Sequence, residues 1–438
     1  MKVLVISNLC PPDYDGGFEL SALRNAESLR ELGHEVELVT SEFRAEFQGD
    51  RTDIPGVSRI FVKTSTNDKW SNAEMFLTGK FDQRFKIGNL FRQFSLRFAN
   101  IRGLVRMLHN SPKNEQVLDK FLEGREFDVA YVFGIHKIGT SVIHSLMKRN
   151  IPVVYHQGDE WLAYYIHPGI LKRVLLNIAS PRGYFRERRI DLRNIVLVSE
   201  FMKRRFFEAG FDEGQLDVIY RGVEFPIRED FERDRYGPPV FLIASRIALY
   251  KGTHFAIRAA AAFDKRAPEK EWQMWIAGHG DSLTMEYLSK LIASLKIGHR
   301  VKFIGMHTRK STFETMQRAT AVISPSVFDE PFGNTNIEAL ASGTVLIASR
   351  SGAIEEIIRH GKSGLIYDRY NVQELAHHME LVLDTPTMRL TLQAGGQERV
   401  RALFTQDQIM MQVEKKLMDV AGIPILDILP EAEKVTLQ

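Results

Sequence analysis

A chain of 438 residues exceeds what one hydrophobic core organises, and at roughly 100 to 200 residues per domain it implies two or three domains. With 44% hydrophobic and 26% charged residues the composition is that of an ordinary globular protein, and a net charge of +3 gives no bulk electrostatic reason to bind nucleic acid. The single cysteine, Cys10, excludes an internal disulfide and a cysteine-based metal site, and no apolar run reaches the length of about 18 residues that spans a bilayer, so a cytoplasmic setting is expected.

KVLVIS opens the chain as a short apolar, β-branched run, and the Pro/Asp/Gly loop PPDYDGGFE leads into FELSALRNAESLRELG, where Leu20, Leu23, Ala26 and Leu29 recur at helical spacing. Strand, loop, helix is the predicted order. HEVELVT, FDVAYVFG, IPVVYHQ, NIVLVSE and LDVIYRG follow as strands, most of them separated by helical patterns such as KIGTSVIHSLMKRN. Between the first and second of these, the segment 80–113 carries eight cations against one carboxylate, Asp82, and its apolar residues from Ile87 to Leu108 fall on a helical stripe. A basic amphipathic helix of this kind either packs its stripe into a core or lies on an anionic membrane surface. A second basic region, Lys172 to Arg193, follows in the same half and suits a phosphorylated or acidic acceptor.

Around Phe225 to Pro239 the alternation lapses into a charged and then Gly/Pro-rich stretch, which marks a domain boundary. The strands VFLIASR, EWQMWIAG, RVKFIG, TAVISPS, TVLIASR and GLIYD then repeat the βα pattern. The expected division is a first Rossmann-like domain over 1–230, a second over 231–404, and a last helix and tail over 405–438 that packs back towards the first. Such alternation implies parallel, doubly wound α/β sheets, whose ligands sit at the carboxyl ends of the strands.

Candidate chemistry follows from that placement. Gly16 and Gly17 precede a helix whose free N–H groups favour an anion, or simply make a tight turn. Arg246 and Lys251 follow the strand VFLIAS, and a guanidinium beside an ammonium suits a pyrophosphate, although two such cations on a loop are more often plain solvated charges. In EPFGNTNIEALASG, Pro331 suits the first turn of a helix running to about Ala341. Glu330 then stands at its mouth and Glu338 inside it, with the backbone N–H groups of Phe332, Gly333, Asn334 and Thr335 between. Carboxylates accept from sugar hydroxyls while N–H groups bind phosphate, which is the pattern a sugar nucleotide needs. Read structurally, Glu330 only complements the helix dipole and Glu338 is a solvated helix residue.

Together these stretches resemble the retaining glycosyltransferases of family 4. EPFGNTNIE matches their E-x7-E signature, SRIALYKG their Arg/Lys diphosphate motif, AGHGD their Gly-x-Gly loop, PDYDGGFE their N-terminal glycine loop, and YHQGDE the histidine that follows a central strand. The resemblance covers most of the chain and implies a GT-B fold, two tandem Rossmann-like domains facing across a cleft. It implies transfer of a hexose from a nucleoside-diphosphate sugar to a hydroxyl acceptor (a sugar, a lipid-linked sugar or a small molecule) with retention of configuration, in polysaccharide or glycoconjugate synthesis. No metal or other cofactor is implied, and the expected site is cytoplasmic or peripheral on the inner membrane face. By the same resemblance Glu330 contacts hydroxyls of the sugar and Glu338 the ribose, while Arg246 and Lys251 hold the diphosphate. Gly16, Gly17 and Gly278 line the donor, Met306 lies near the base, and His156 stands at the anomeric carbon. Asn334, Thr335 and Asn336 would adapt the site to one sugar. YRGVEF, ASGTVLIAS and SRSGAIEE depart from the usual pattern in ways that bear on donor choice. A sugar-nucleotide epimerase or hydrolase of the same fold would need its own acid/base pair, and a binding-only protein would have no need of His156.

Overall fold

The computed structural model describes residues 1–13, 17–42, 54–62, 112–166, 190–227 and 237–424. Gly16, nearly all of the basic segment 80–113, most of the second basic region and the tail beyond 424 lie outside them. The chain forms two compact units: Met1–Val198, Met202–Ile219 and Met410–Gln438 make the first, and Ser199–Phe201 with Tyr220–Ile409 the second.

Among its described residues unit 1 holds seven strands: β1 (Lys2–Ile6), β2 (Glu35–Ser41), β3 (Val57–Phe61), β4 (Val129–Val132), β5 (Val153–Gln157), β6 (Ile195–Leu197) and β7 (Leu216–Val218). Their order is β3-β2-β1-β4-β5-β6-β7, and every pair is parallel. Val, Ile and Leu run on without alternation in β1 and β4 to β6 because both faces of a parallel sheet are covered. The sequence reading has no counterpart for β3. VSRIF is an edge strand buried only at Phe61, so its apolar signal is weak.

The helix Gln406–Ala421 carries Met410, Val413, Leu417 and Met418 on one buried stripe. From Met410 onward it belongs to unit 1, where Glu414 Oε1 lies 2.7 Å from His34 Nε2 and Lys416 Nζ 2.8 Å from Asp217 Oδ2.

Unit 2 holds β8 (Val240–Ala244), β9 (Gln273–Ala277), β10 (Val301–Gly305), β11 (Ala321–Ser324), β12 (Val345–Ser349) and β13 (Leu365–Tyr367), in the order β10-β9-β8-β11-β12-β13. Again all pairs are parallel. Trp272 anchors its core, with the rings of Phe263 and Phe241 at 5.1 and 6.2 Å, under the helix Thr253–Arg266, which turns Ala256, Ile257, Ala260 and Phe263 inward. The chain enters this unit at Tyr220, whose ring packs against Phe332 at 5.7 Å and Phe404 at 5.5 Å. Both units are Rossmann-like, and in each the strand order reverses once, between β1 and β4 and between β8 and β11. Loops leaving the carboxyl ends of those strand pairs diverge and leave a crevice, the topological switch point where such sheets bind ligands.

Candidate active site

At the switch point of unit 2, the loop after β8 brings Lys251 to the loop after β11. Lys251 Nζ lies 2.5 Å from Glu330 Oε1, and Ser326 Oγ lies 3.0 Å from the same oxygen. Both ionic side chains are partly buried, 23% and 15% exposed, so their attraction is screened less than that of a surface pair. Glu330 Oε2 accepts no hydrogen bond from the described residues. Backbone contacts sew the two loops together, since the N–H groups of Val327 and Phe328 donate to Tyr250 O at 2.9 and 3.2 Å. From the loop after β12, Ala353 N donates to Glu330 O at 3.0 Å, and from the turn after β13, Arg369 donates to Val327 O at 3.2 Å and pairs with Asp329.

The helix that heads this recess is shorter than the sequence suggests. It spans Asn334–Ala341, with Gly333 as its N-cap at φ +94°, so Pro331 and Phe332 precede it in an irregular turn. A left-handed cap demands glycine, and a Cβ there would also fall 2.6 Å from Asn336 Nδ2. The Phe332 side chain, 1% exposed, is a core anchor. Thr335 and Asn336 line the recess together with Lys251, Ser326 and Glu330. Asn336 is 4% exposed and its Oδ1 accepts no hydrogen bond from the described residues, which makes it a buried acceptor facing a polar hollow. Asn334 Oδ1 instead accepts from Arg221 Nη1 at 3.1 Å.

One helical turn further in, Glu338 is bound by Arg309, Nη2 to Oε1 at 2.5 Å, while Arg309 Nη1 reaches Glu224 Oε2 at 2.7 Å. Phe225 carries the guanidinium 5.5 Å above its ring. Burial opposes the charge of Arg309, yet Glu338 and Glu224 outweigh it and hold the guanidinium pKa above its ordinary value. Glu338 Oε2 is left with no hydrogen bond from the described residues.

Arg246 stands exposed on the β8 loop and does not line the recess. Gly278 closes β9, its N–H donating to Gly305 O at 2.8 Å, and Met306, 65% exposed, follows β10. All of these lie at carboxyl ends of strands of one sheet. Gly17 and His156 belong to unit 1. Gly17 opens the helix Gly17–Glu31, and His156 is the penultimate residue of β5 itself, 3% exposed, stacked on Phe133 with ring centroids 5.0 Å apart. Among the described residues no three His, Cys, Asp or Glu side chains are grouped to hold a metal.

Comparison with known families decides the class. The model for Glycosyltransferase Family 4 matches residues 15–225, and that for Glycosyl transferases group 1 matches residues 227–399. The chain is a GT-B fold glycosyltransferase. Its first half is family 4-like and its second half group 1-like. This glycosyltransferase is 23% identical to an uncharacterized glycosyltransferase of Methanocaldococcus jannaschii, over 96% of its own chain and 100% of the relative. A D-inositol 3-phosphate glycosyltransferase of Pseudarthrobacter chlorophenolicus is 29% identical over 44% of the chain, an alignment that spans about half (47%) of that relative's length. Among solved structures, Anabaena HepE in complex with UDP superposes with a TM-score of 0.66 at 19% identity, covering 96% of this chain and all (100%) of that one.

Arg309, Ser326, Glu224 and Arg221 are the site neighbours of the glycosyltransferase that its sequence alone did not single out. For Glu224 and Arg221 a signal existed, since both lie in YRGVEF, a stretch already set apart at the end of the first half. Ser326 lies in VISPSVFDEPFG, a stretch that resembles the family's donor-site entry, whereas Arg309 carried no signal. Arg309 is a first-turn residue whose partner, Glu338, is brought to it by the tertiary fold, whereas Ser326 meets Glu330 four residues on within one loop.

Proposed function

We propose that the chain is a retaining, metal-independent hexosyltransferase that moves a sugar from a nucleoside-diphosphate donor to a hydroxyl acceptor. The observation that carries this reading is the Lys251–Glu330 pair at the switch point of unit 2, with Asn336 Oδ1 buried beside it and accepting no hydrogen bond from the described residues. Breaking a bond between a sugar and phosphate builds charge on the departing diphosphate. Lys251, Arg246 and the free N–H groups at the start of the helix Asn334–Ala341 supply fixed positive charge for it. Glu330, held by Lys251 and Ser326 through Oε1, keeps Oε2 for a hydroxyl of the transferred sugar, and Asn336 Oδ1 accepts from a second. Glu338, fixed in the same way by Arg309, keeps one oxygen for the ribose. Gly278, Gly333, Asn334, Thr335 and Met306 complete the donor residues of unit 2 in this reading, and the family resemblance gives Gly17 and His156 a part in handling the donor and its sugar.

Two experiments test it. Thermal-shift screening of UDP-, GDP-, ADP- and dTDP-sugars, with UDP-sugars first because HepE was solved with UDP, is expected to find one stabilising series. Transfer to simple sugar and lipid-linked acceptors then follows with the best donor, and product analysis by NMR should give the anomeric configuration of the donor. No stabilisation by any nucleotide sugar would sink the proposal. Arg309→Ala frees Glu338 from its clamp and is expected to weaken nucleoside-diphosphate binding about tenfold, near 1.4 kcal/mol, by calorimetry. In the double variant with Glu338→Gln the losses should not add, because the two side chains act as one unit.

A further inference from the structure

Three buried polar side chains of unit 1 are linked in a line that runs from a helix across two neighbouring strands. Asn25, on the helix Gly17–Glu31, places Nδ2 3.2 Å from Tyr131 Oη; Tyr131, in β4, places Oη 2.5 Å from Nδ1 of His156, in β5. All three are more than nine-tenths buried, at 6%, 1% and 3% exposure. The imidazole lies nearly parallel to Phe133, at an interplanar angle of 10°, and Phe18 packs on it at 5.9 Å, so the ring is held in one plane.

A phenol has one proton, and that sets the direction of the chain. The amide nitrogen of Asn25 has only protons to give, so Tyr131 Oη accepts from Asn25, and its own proton goes to His156 Nδ1, the one other hydrogen-bond partner it has among the described residues. A neutral imidazole whose Nδ1 accepts carries its proton on Nε2. Burial keeps the phenol protonated for this task, raising its pKa far above the ordinary tyrosine range.

We propose that Asn25 and Tyr131 are positioning residues that fix His156 as the Nε2–H tautomer, so that it acts as a hydrogen-bond donor to a sugar hydroxyl oxygen and not as the base that takes the acceptor's proton. The functional half of this statement rests on the glycosyltransferase site described above; the tautomer does not.

Full-length protein labelled with [15N]histidine provides the test, with the His156 signals assigned by their loss in His156→Gln. Long-range proton–nitrogen spectra report which ring nitrogen is protonated, and Nε2 is expected. Asn25→Asp should reverse the chain: the introduced carboxylate only accepts, takes the Tyr131 proton, and leaves Oη to accept from Nδ1–H, so the proton appears on Nδ1. Tyr131→Phe removes the selection and should give a mixture of tautomers, which keeps the test open even where Asn25→Asp does not fold. A wild-type spectrum with the proton on Nδ1, or tautomers unchanged in both folded variants, overturns the proposal. With the best donor in hand, Tyr131→Phe is expected to lower kcat only a few-fold, in proportion to the Nε2–H form it retains, and a folded Asn25→Asp, which moves the proton to Nδ1, on the order of 10²-fold, while nucleoside-diphosphate affinity stays unchanged in both. An altered tautomer with wild-type kcat would remove His156 from the catalytic site and leave the tautomer assignment standing.

Discussion

Lys251→Ala is expected to lower the turnover of sugar transfer by about 10²- to 10³-fold, the usual loss when one preorganised charge opposite a developing anion is removed. The measurement is nucleoside diphosphate released per unit time by purified protein at saturating donor. Two effects combine. The ammonium no longer faces the departing diphosphate, and Glu330 keeps its carboxylate in a partly buried recess without the partner 2.5 Å away. Lys251→Arg should restore little, because a planar fork does not fit a point contact shared with Ser326 Oγ on one carboxylate oxygen. Wild-type turnover in Lys251→Ala would remove the pair from the mechanism.

Gly352→Ala is the second large effect, and it acts on Glu330 through the backbone. A Cβ on Gly352 would stand 2.0 Å from Glu330 O and 2.5 Å from Glu330 N, at a φ of +54°. No side chain can bend to relieve contact between backbones, so the loop carrying Glu330 must move. A displacement of about 1 Å is enough to cost on the order of 10²-fold in rate. Left-handed strain adds roughly 1 to 2 kcal/mol, which at this domain size lowers the melting temperature by about 2 to 4 °C per kcal/mol. Gly361→Ala separates the two contributions, because Gly361 has φ +73° but nothing within 4 Å of its would-be Cβ. That variant should lose a little stability and keep full turnover. Equal activity loss in both would show that strain alone, and not the approach to Glu330, is responsible. SRSGAIEE has one glycine where the family usually has two, and the close approach at Gly352 accounts for the one retained.

The sequence by itself determined the α/β class, twelve of the thirteen described strands and the loop placement of Lys251 and Glu330 after β8 and β11, because continuous runs such as VLVI, VFLIA and VLIAS leave a doubly covered parallel sheet as their only burial. It set His156 beyond a strand that includes it. It did not reveal β3, whose edge position lets VSRIF stay half exposed, nor the start of the helix at Asn334, which the left-handed turn at Gly333 sets in place of Pro331. Tertiary structure alone decided the partners. Lys251 meets Glu330 79 positions away because β8 and β11 are neighbours, Arg309 meets Glu338 because the helices after β10 and β11 pack side by side, and Tyr131 meets His156 because β4 pairs with β5 in register. Local propensity fixes what each strand is, whereas the order of strands in a sheet fixes which side chains touch, and the chemistry proposed for this site depends on the second.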